Sequence, residues 1–364
     1  MMGTTKTKIA IITSSLAHGG AERSCGLLSI LLSNLGYEIH VVTVLDEIEF
    51  NYQGELLNLG LLKKQDDSFL GRFKRLLVFK NYLKKNNFDW IIDHRPRIPT
   101  CSELIISRFI YNPKNVIYVV HNFKIDKYFP RNKFIAKIIY KHSPYIIAVS
   151  EEIKKAIHQK FGYKNVKTIY NPIDNKLLNS LSKEKIIDKK FILAYGRIDD
   201  DVKNFSLLID GYSQSILPQK KILLYILGDG KDVEKLKLKV AELHLTEKVI
   251  FKSKLTNPFP YVKSALFTVL TSKYEGFPMV IIESLALGTP VISVDCNSGP
   301  REVIVNEQNG LLIENYSSNE LAKAMNRFVE DQFLYENCKN NASKSVEHLA
   351  VASISKQWQE ILSK

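Results

Sequence analysis

The chain is poor in cysteine, and the few it has are scattered. Cys25, Cys101, Cys296 and Cys338 are the four among 364 residues, and no two form a C-x-x-C pair. That excludes a readable zinc ribbon or dithiol redox motif. Sparse cysteine fits a reducing compartment, where it serves as a small buried apolar group. Long apolar runs are missing as well. None approaches the ~20 residues that a membrane-spanning helix needs. The opening residues lead straight into Ile9-Ala10-Ile11-Ile12. This run is too short for a signal-peptide core and suits a buried strand. The expected location is therefore the cytoplasm. Internal repeats of 20–50 residues and low-complexity tracts are also absent.

What is present is ordinary globular composition, 45% hydrophobic and 24% charged. The length suits two domains at about 150 residues each. The net charge of +13 is unevenly placed: residues 60–141 hold 18 Lys/Arg against 6 Asp/Glu. Such a region calls for an anionic partner or a solvated face. Phe69, Leu70, Phe73, Leu76, Leu77 and Leu83 recur at helical spacing among Arg72, Lys74, Arg75, Lys80 and Lys84. Tyr128-Phe129-Pro130 precedes a second mixture of Arg131, Lys133, Phe134, Lys137 and Lys141. Basic helices with apolar faces suit an anionic membrane surface. The other reading is a solvated basic face over core residues. Nucleic acid is set aside as a partner, since no binding motif occurs in the stretch.

Short apolar runs alternate with amphipathic stretches throughout. Strands are expected at 8–13, 38–44, 90–93, 115–120, 145–149, 166–170, 191–195, 221–227, 248–252, 266–270 and 290–294. Helices are expected at 21–34, 72–86, 203–215, 231–243, 278–287 and 318–330. Strand-helix repetition with buried runs predicts parallel sheets covered by helices, with ligands at the carboxyl ends of the strands. The pattern restarts near residue 191. The fold class is therefore α/β, with two Rossmann-like doubly wound domains at 1–172 and 191–345. Residues 173–190 read as a linker and 346–364 as a final helix.

Three turns carry chemistry. After the first strand, Gly19 and Gly20 open a helix and permit close approach of a ligand to its amino terminus. No G-x-G-x-x-G and no Gly-Lys-Ser/Thr follows, which argues against a nicotinamide oxidoreductase and a Walker loop. Gly228-Asp229-Gly230 follows the strand at 221–227, where a packing turn explains the glycines better than a ligand does. The third turn says more. Glu275, Gly276, Phe277, Pro278 and Met279 lead into a helix that holds Glu283 and stops at Gly288. Pro278 suits the first helical position. Amides at the helix start attract phosphate, while two glutamates accept from hydroxyls, so a ligand carrying both groups fits. Arg197 and Lys203, after the strand at 191–195, supply cations for a diphosphate. Asp199, Asp200 and Asp201 read as a solvated acidic turn and not as a metal site.

Together these residues resemble family 4 of the retaining glycosyltransferases, which have the two-domain GT-B fold. The most specific stretch is 271–313, with Glu275 to Pro278, Glu283, Gly288-Thr289-Pro290, Ser298-Gly299-Pro300-Arg301-Glu302 and Asn309-Gly310. Gly19-Gly20-Ala21-Glu22-Arg23, Val120-His121-Asn122 and Asn171-Pro172-Ile173-Asp174 match family positions as well. The resemblance implies two domains facing a cleft, with the last helix crossing back to the first. It implies transfer of a hexosyl or N-acetylhexosaminyl unit from a nucleotide sugar to a saccharide acceptor, lipid-linked, in surface glycan synthesis. An epimerase on the same fold is the alternative.

The implied roles follow residue by residue. Glu283 would hold ribose hydroxyls. Glu275 would meet the sugar beside its anomeric carbon, and the turn 276–279, with the amides of Gly276, Phe277 and Met279 around Pro278, would form the sugar and phosphate cradle. Arg197 and Lys203 would clamp the diphosphate. Gly19 and Gly20 would close over it, and His121 would lie near the transferred sugar. Gly228 and Lys252 would border the nucleotide. Phe251-Lys252-Ser253-Lys254 lacks the glycine that the family often places facing the base. UDP is the expected nucleotide, with GDP and ADP open. No cofactor and no metal are expected, and the basic 60–141 region would hold the enzyme peripherally at the inner membrane face. No acceptor-binding residue is assigned.

Overall fold

The computed structural model describes residues 6–98, 100–184, 190–314 and 316–363. The chain forms two compact units. The first runs to Pro172 and takes the chain back from Val351, and the second spans Ile173–Ala350.

In the first unit the strands are β1 (Lys8–Thr13), β2 (Glu38–Thr43), β3 (Glu55–Asn58), β4 (Trp90–Asp93), β5 (Val116–Val120), β6 (Tyr145–Ala148) and β7 (Val166–Thr168). They form one sheet in the order β3-β2-β1-β4-β5-β6-β7, with every pairing parallel. β5 reads Val-Ile-Tyr-Val-Val and is buried at every position. An unbroken apolar run is what a strand covered on both faces requires. The helix Gly20–Asn34 packs Leu28, Leu31 and Leu32 into the core. The helix Val351–Leu362 belongs here despite its distance in sequence, and Trp90 Nε1 donates to its Leu362 carbonyl at 3.0 Å.

The second unit repeats the plan with β8 (Phe191–Tyr195), β9 (Leu223–Leu227), β10 (Val249–Lys252), β11 (Thr268–Leu270), β12 (Val291–Val294) and β13 (Gly310–Ile313). The order is β10-β9-β8-β11-β12-β13, again parallel throughout. Its core joins Ile192, Ile226, Phe267 and Ile292 to Leu208, Tyr212, Leu321 and Met325 on the flanking helices.

The expected strands are present, with ends displaced by two residues at most. Two edge strands were not anticipated. β3 has only Leu56 and Leu57 as apolar residues and none of its positions is fully buried, so it leaves little pattern. β13 lies behind the Asn309-Gly310 turn. The stretch expected as a linker holds a helix, Asn175–Leu181, in its described part. Asp174 caps it by accepting from the Leu177 amide at 3.0 Å, and residues 185–189 of that stretch lie outside the described residues. The helix expected over 203–215 is split at Asn204, whose φ of 53° ends the turn Asp200–Lys203 before Phe205–Gln214 begins.

Strand order reverses between β1 and β4 in one sheet and between β8 and β11 in the other. Ligands of doubly wound sheets sit beyond the carboxyl ends of strands at such a reversal. The loops after these four strands are therefore the places to look.

Candidate active site

In the second unit, the reversal brings the loop after β8 beside the loop after β11. Lys203 Nζ lies 2.6 Å from Glu275 Oε1, and Ser272 Oγ donates to the same oxygen at 2.6 Å. Thr271 Oγ1 donates to the Lys203 carbonyl at 3.0 Å, and the Lys273 amide to the Val202 carbonyl at 2.8 Å. These bonds fix one loop against the other. The pair stays open to solvent, with side-chain exposures of 21% for Lys203 and 13% for Glu275.

The helix Met279–Ala286 follows, and Pro278 is its N-cap, one position earlier than expected. Its first amides lack intrahelical acceptors, as at any helix start. Glu283 lies one turn in and is buried, and Tyr195 OH donates to its Oε2 at 3.0 Å. The loop 276–278 is pinned from behind. Ser298 Oγ donates to the Gly276 carbonyl at 2.8 Å, and Gly299 leaves no room for a β-carbon, which would meet Pro278 Cδ at 2.5 Å. The structure thus groups Lys203, Glu275, Gly276, Phe277, Pro278, Met279 and Glu283 along one loop and helix start.

Other expected residues stand further out. Arg197 is 62% exposed at its side chain, with Asp199 3.9 Å away. Lys252 ends β10 on the sheet edge, its ammonium 5.8 Å from the Tyr261 ring centre. Gly228 and Gly230 have a packing reason. Added β-carbons would lie 1.9 Å from the Gly196 and Ile198 carbonyl oxygens, and the Gly228 amide already donates to the Lys252 carbonyl. The acidic turn is paired with neighbouring residues, and Asp200 is buried where a solvated turn was expected. Asp200 accepts from Ser206 N, Ser206 Oγ and Lys235, while Asp201 pairs with Lys231 at 2.6 Å. Burial works to raise the Asp200 carboxyl, but the Ser206 and Lys235 bonds outweigh it and hold it low.

Gly19, Gly20 and His121 lie in the first unit. Gly19 is the N-cap of the helix Gly20–Asn34, and a β-carbon there would meet the Glu22 carboxylate at 2.1 Å. A phosphate at that amide end would face this negative charge. His121 follows β5 and is 9% exposed. Its Nε2 lies 2.8 Å from His94 Nδ1, and the two rings stack with centroids 5.1 Å apart. Burial pushes both imidazoles down, His94 to about 3, with Arg97 adding to the effect, so both are neutral near pH 7.

The loop after β4 carries a closed charge network. Arg95 forks onto Asp93, Nη2 to Oδ2 at 2.7 Å and Nε to Oδ1 at 3.0 Å, and reaches Glu103 at 3.3 Å. Arg97 is 1% exposed. It donates to Tyr140 OH and to the carbonyls of Asp93, Arg95 and Val119, and the Tyr118 ring lies 4.9 Å away. Burial works to raise the Asp93 carboxyl, but Arg95 and then Arg97 overcome it and hold it below its ordinary value.

Comparison with known proteins now decides the family. The model described as Glycosyltransferase Family 4 matches residues 18–177, and that described as Glycosyl transferases group 1 matches 179–345. The chain belongs to the family 4 glycosyltransferases. It is 29% identical over 350 residues to a Campylobacter jejuni N-acetylgalactosaminyltransferase acting on a diphospho-undecaprenol-linked saccharide, covering 92% of this chain and 93% of that one. It is 26% identical to an amylovoran biosynthesis glycosyltransferase of Erwinia amylovora, covering 98% and 99%. Among solved structures it resembles Anabaena HepE in complex with UDP-glucose, with a TM-score of 0.80, 22% identity, and 98% and 99% of the chains covered. That likeness establishes a GT-B fold.

Sequence reading missed groups that hold the transferase's candidate residues in place, Ser272, Tyr195 and His94, and gave Ser298 no such role. A serine or tyrosine one strand away gives no spacing signal, although Tyr195 and His94 both sit at strand ends beside residues already singled out. The basic region also divides on inspection. The helix Phe69–Asn86 buries only Gly71, Phe79 and Leu83, and leaves Phe69, Leu70, Phe73 and Leu77 exposed. Tyr128 and Phe129 are core residues, with Phe134 exposed beyond them. Arg95 and Arg97 add nothing to the surface charge. Among the described residues no helix is long and apolar enough to cross a membrane.

Proposed function

We propose that this glycosyltransferase retains anomeric configuration, needs no metal ion, and moves a hexosyl or N-acetylhexosaminyl unit from a UDP-sugar to a lipid-linked saccharide. The observation that carries the reading is the Lys203–Glu275 pair at the β8–β11 reversal, beside a helix start and the buried Glu283. Without ligand, ammonium and carboxylate neutralise each other. An arriving diphosphate competes for Lys203 and frees Glu275 to accept from sugar hydroxyls. Arg197, exposed at the turn after β8, forks onto the phosphates. Glu283 takes the ribose hydroxyls. The amides of Gly276, Phe277 and Met279, around Pro278, complete the cradle. Lys252 borders the nucleotide, and in the first unit His121 serves the transferred sugar while Gly20 is exposed and Gly19 lies against the Glu22 carboxylate.

The bond from C1 to the diphosphate oxygen breaks through an oxocarbenium-like state. Negative charge grows on the leaving group, where fixed cations and helix amides lower the barrier. The acceptor oxygen bonds to C1 on the same face, and its proton passes to the departing phosphate oxygen. A sugar trapped covalently on the protein would overturn this front-face course. The Anabaena neighbour's UDP-glucose supports a UDP donor, and the Campylobacter jejuni relative's undecaprenol-linked acceptor supports a lipid-linked one.

The first test is thermal unfolding of the purified protein with UDP, UDP-sugars, GDP, ADP and NAD, with and without EDTA. A ligand that binds only the folded state raises the melting point. A selective UDP shift that survives EDTA is expected. No diphosphate shift, or a shift with NAD alone, would remove the donor site as assigned.

The apolar stripe on the helix Phe69–Asn86, flanked by exposed Arg72, Lys74, Lys80, Lys84 and Lys85, supports docking on anionic lipid. Sedimentation with vesicles is expected to show binding to anionic but not neutral lipid, weakened by salt and by F69D with F73D. Equal, salt-insensitive binding to both would count against it.

A further inference from the structure

His94 has no part in the transfer chemistry proposed above, yet it is buried against the one histidine that does. The contact is a direct hydrogen bond of 2.8 Å between His94 Nδ1 and His121 Nε2, with the rings stacked at 27°. His94 Nε2 and His121 Nδ1, at the outer ends, are buried and have no hydrogen-bond partner. Both residues line a small hollow with Ser24, Asn171 and Trp358.

Proton counting gives this geometry a consequence. A neutral imidazole carries one hydrogen on its two nitrogens. When two neutral imidazoles share one hydrogen bond, one bonded nitrogen supplies the hydrogen and the other the lone pair. The outer nitrogens must then differ, one an N–H and the other a lone pair. Whichever tautomer His121 adopts, His94 adopts the complementary one. The ring of His121 is also held at one angle by the stack. A hydroxyl, which both donates and accepts, matches either outer end.

We infer that His94 is the positioning residue for His121: it holds the ring and ties the tautomer of His121 to its own, so that His121 Nδ1 meets a ligand hydroxyl as donor when His94 Nδ1 donates and as acceptor when His94 Nδ1 accepts. This rests on the reading of His121 as a residue serving the transferred sugar. Cys25 Sγ lies within 4.8 Å of nitrogens on both rings, so a thiolate-bound metal ion is the competing use of the same cluster.

The bonded atom of His94 is Nδ1, which an asparagine amide can mimic and a glutamine amide, one methylene further out, cannot. The experiment uses H94N, H94Q and H94F in the full chain, with H121N as reference. Imidazole nitrogen spectra of wild type are expected to show His121 in a single tautomer. H94F is expected to give a mixed or switched tautomer, and H94N to restore one form. In transfer assays with a UDP-sugar, H94F is expected to lower kcat by roughly tenfold to a hundredfold, as for other groups that orient a working imidazole. The donor KM should hardly change, and H94N should recover more than H94Q.

An unchanged His121 tautomer in H94F overturns the positioning role whatever the kinetics. So does a kcat loss that H94N and H94Q share equally, since that is a packing effect. A His121 tautomer set by His94 together with full activity in H121N would instead overturn the reading of His121. Titration with cobalt(II) adds the last outcome. A thiolate-to-metal absorption band in wild type that is lost in C25S would make the cluster a metal site and overturn the pair.

Discussion

Both sheets reverse strand order, and the loops at the two reversals carry charge differently. After β4, Asp93 and Arg97 have fully buried side chains and Arg95 is 11% exposed. Each charge there is spent on a neighbour within the first unit: Arg95 on Asp93 and Glu103, and Arg97 on Tyr140 and backbone carbonyls. After β8 and β11, Lys203 and Glu275 keep 21% and 13% of their side chains in solvent, and Arg197 keeps 62%. The same topology therefore builds one reversal whose charges are internal struts and another whose charges are within a ligand's reach. His94 and His121, beside that network, are held neutral by burial. Basic residues in a sequence do not announce which kind they are, and burial separates them.

The largest expected effect follows from the open reversal. Glu275→Gln and Lys203→Ala should each lower transfer by about 10²–10³-fold, the range for losing one charge-directed contact at a reacting centre. Steady-state assays with a UDP-sugar check this. Melting points should move little, because a partly exposed pair contributes little to stability. A large drop in melting point with activity per folded molecule preserved would make this pair a strut as well, and the comparison would collapse.

The buried reversal should behave the opposite way. Asp93→Ala leaves Arg95 without its fork and is expected to destabilise the first unit by about 3–5 kcal/mol, read by urea unfolding. The sign of the pH dependence follows from the lowered Asp93 carboxyl. Its contribution is full at neutral pH and is lost as pH falls through that lowered value, beneath the ordinary carboxylate range. Asp93→Asn should flatten the acid limb of the stability curve below about pH 4. An unchanged acid slope would show that Asp93 is not the group responsible.

Much of this was legible beforehand. The buried strands announced themselves as apolar runs, and the restart at Phe191 marked the second unit. The loop at 275–283 carried its own logic of amides beside carboxylates. What stayed hidden was long-range. Tyr195 reaches Glu283 across 88 positions of sequence, and His94 meets His121 across 27. β3 was missed because its half-exposed edge position needs little apolar pattern, and β13, although apolar and largely buried, because it is only four residues long and starts at the Asn309-Gly310 turn. The basic count in residues 60–141 misled in part, since it cannot tell the exposed Lys74 from the enclosed Arg97.

Gly230→Ala sharpens the comparison within the second unit. If Gly228-Asp229-Gly230 cradles a ligand, a methyl at 230 should weaken nucleotide binding and leave the fold intact. The structure fills that space with the Ile198 carbonyl, 1.9 Å from the added carbon. A stability loss of about 1–3 kcal/mol is expected, as for overpacking. UDP affinity of the remaining folded protein should be unchanged by calorimetry. Lost affinity at full stability would reverse the assignment.

The smallest effect is expected at Asp201. Its 77% exposed carboxylate meets Lys231 at 2.6 Å, itself 58% exposed. Water and salt screen such a pair, and holding two long side chains together offsets what remains. Asp201→Asn should therefore leave the melting point without a resolvable change. Transfer should also be unchanged, with EDTA and without, if the acidic turn is a solvated surface. The two results bear on different points. A destabilised variant would extend the strut behaviour of the first unit to an exposed turn. A stable variant that loses transfer would instead move the acidic turn into the donor site, beside Arg197 and Lys203.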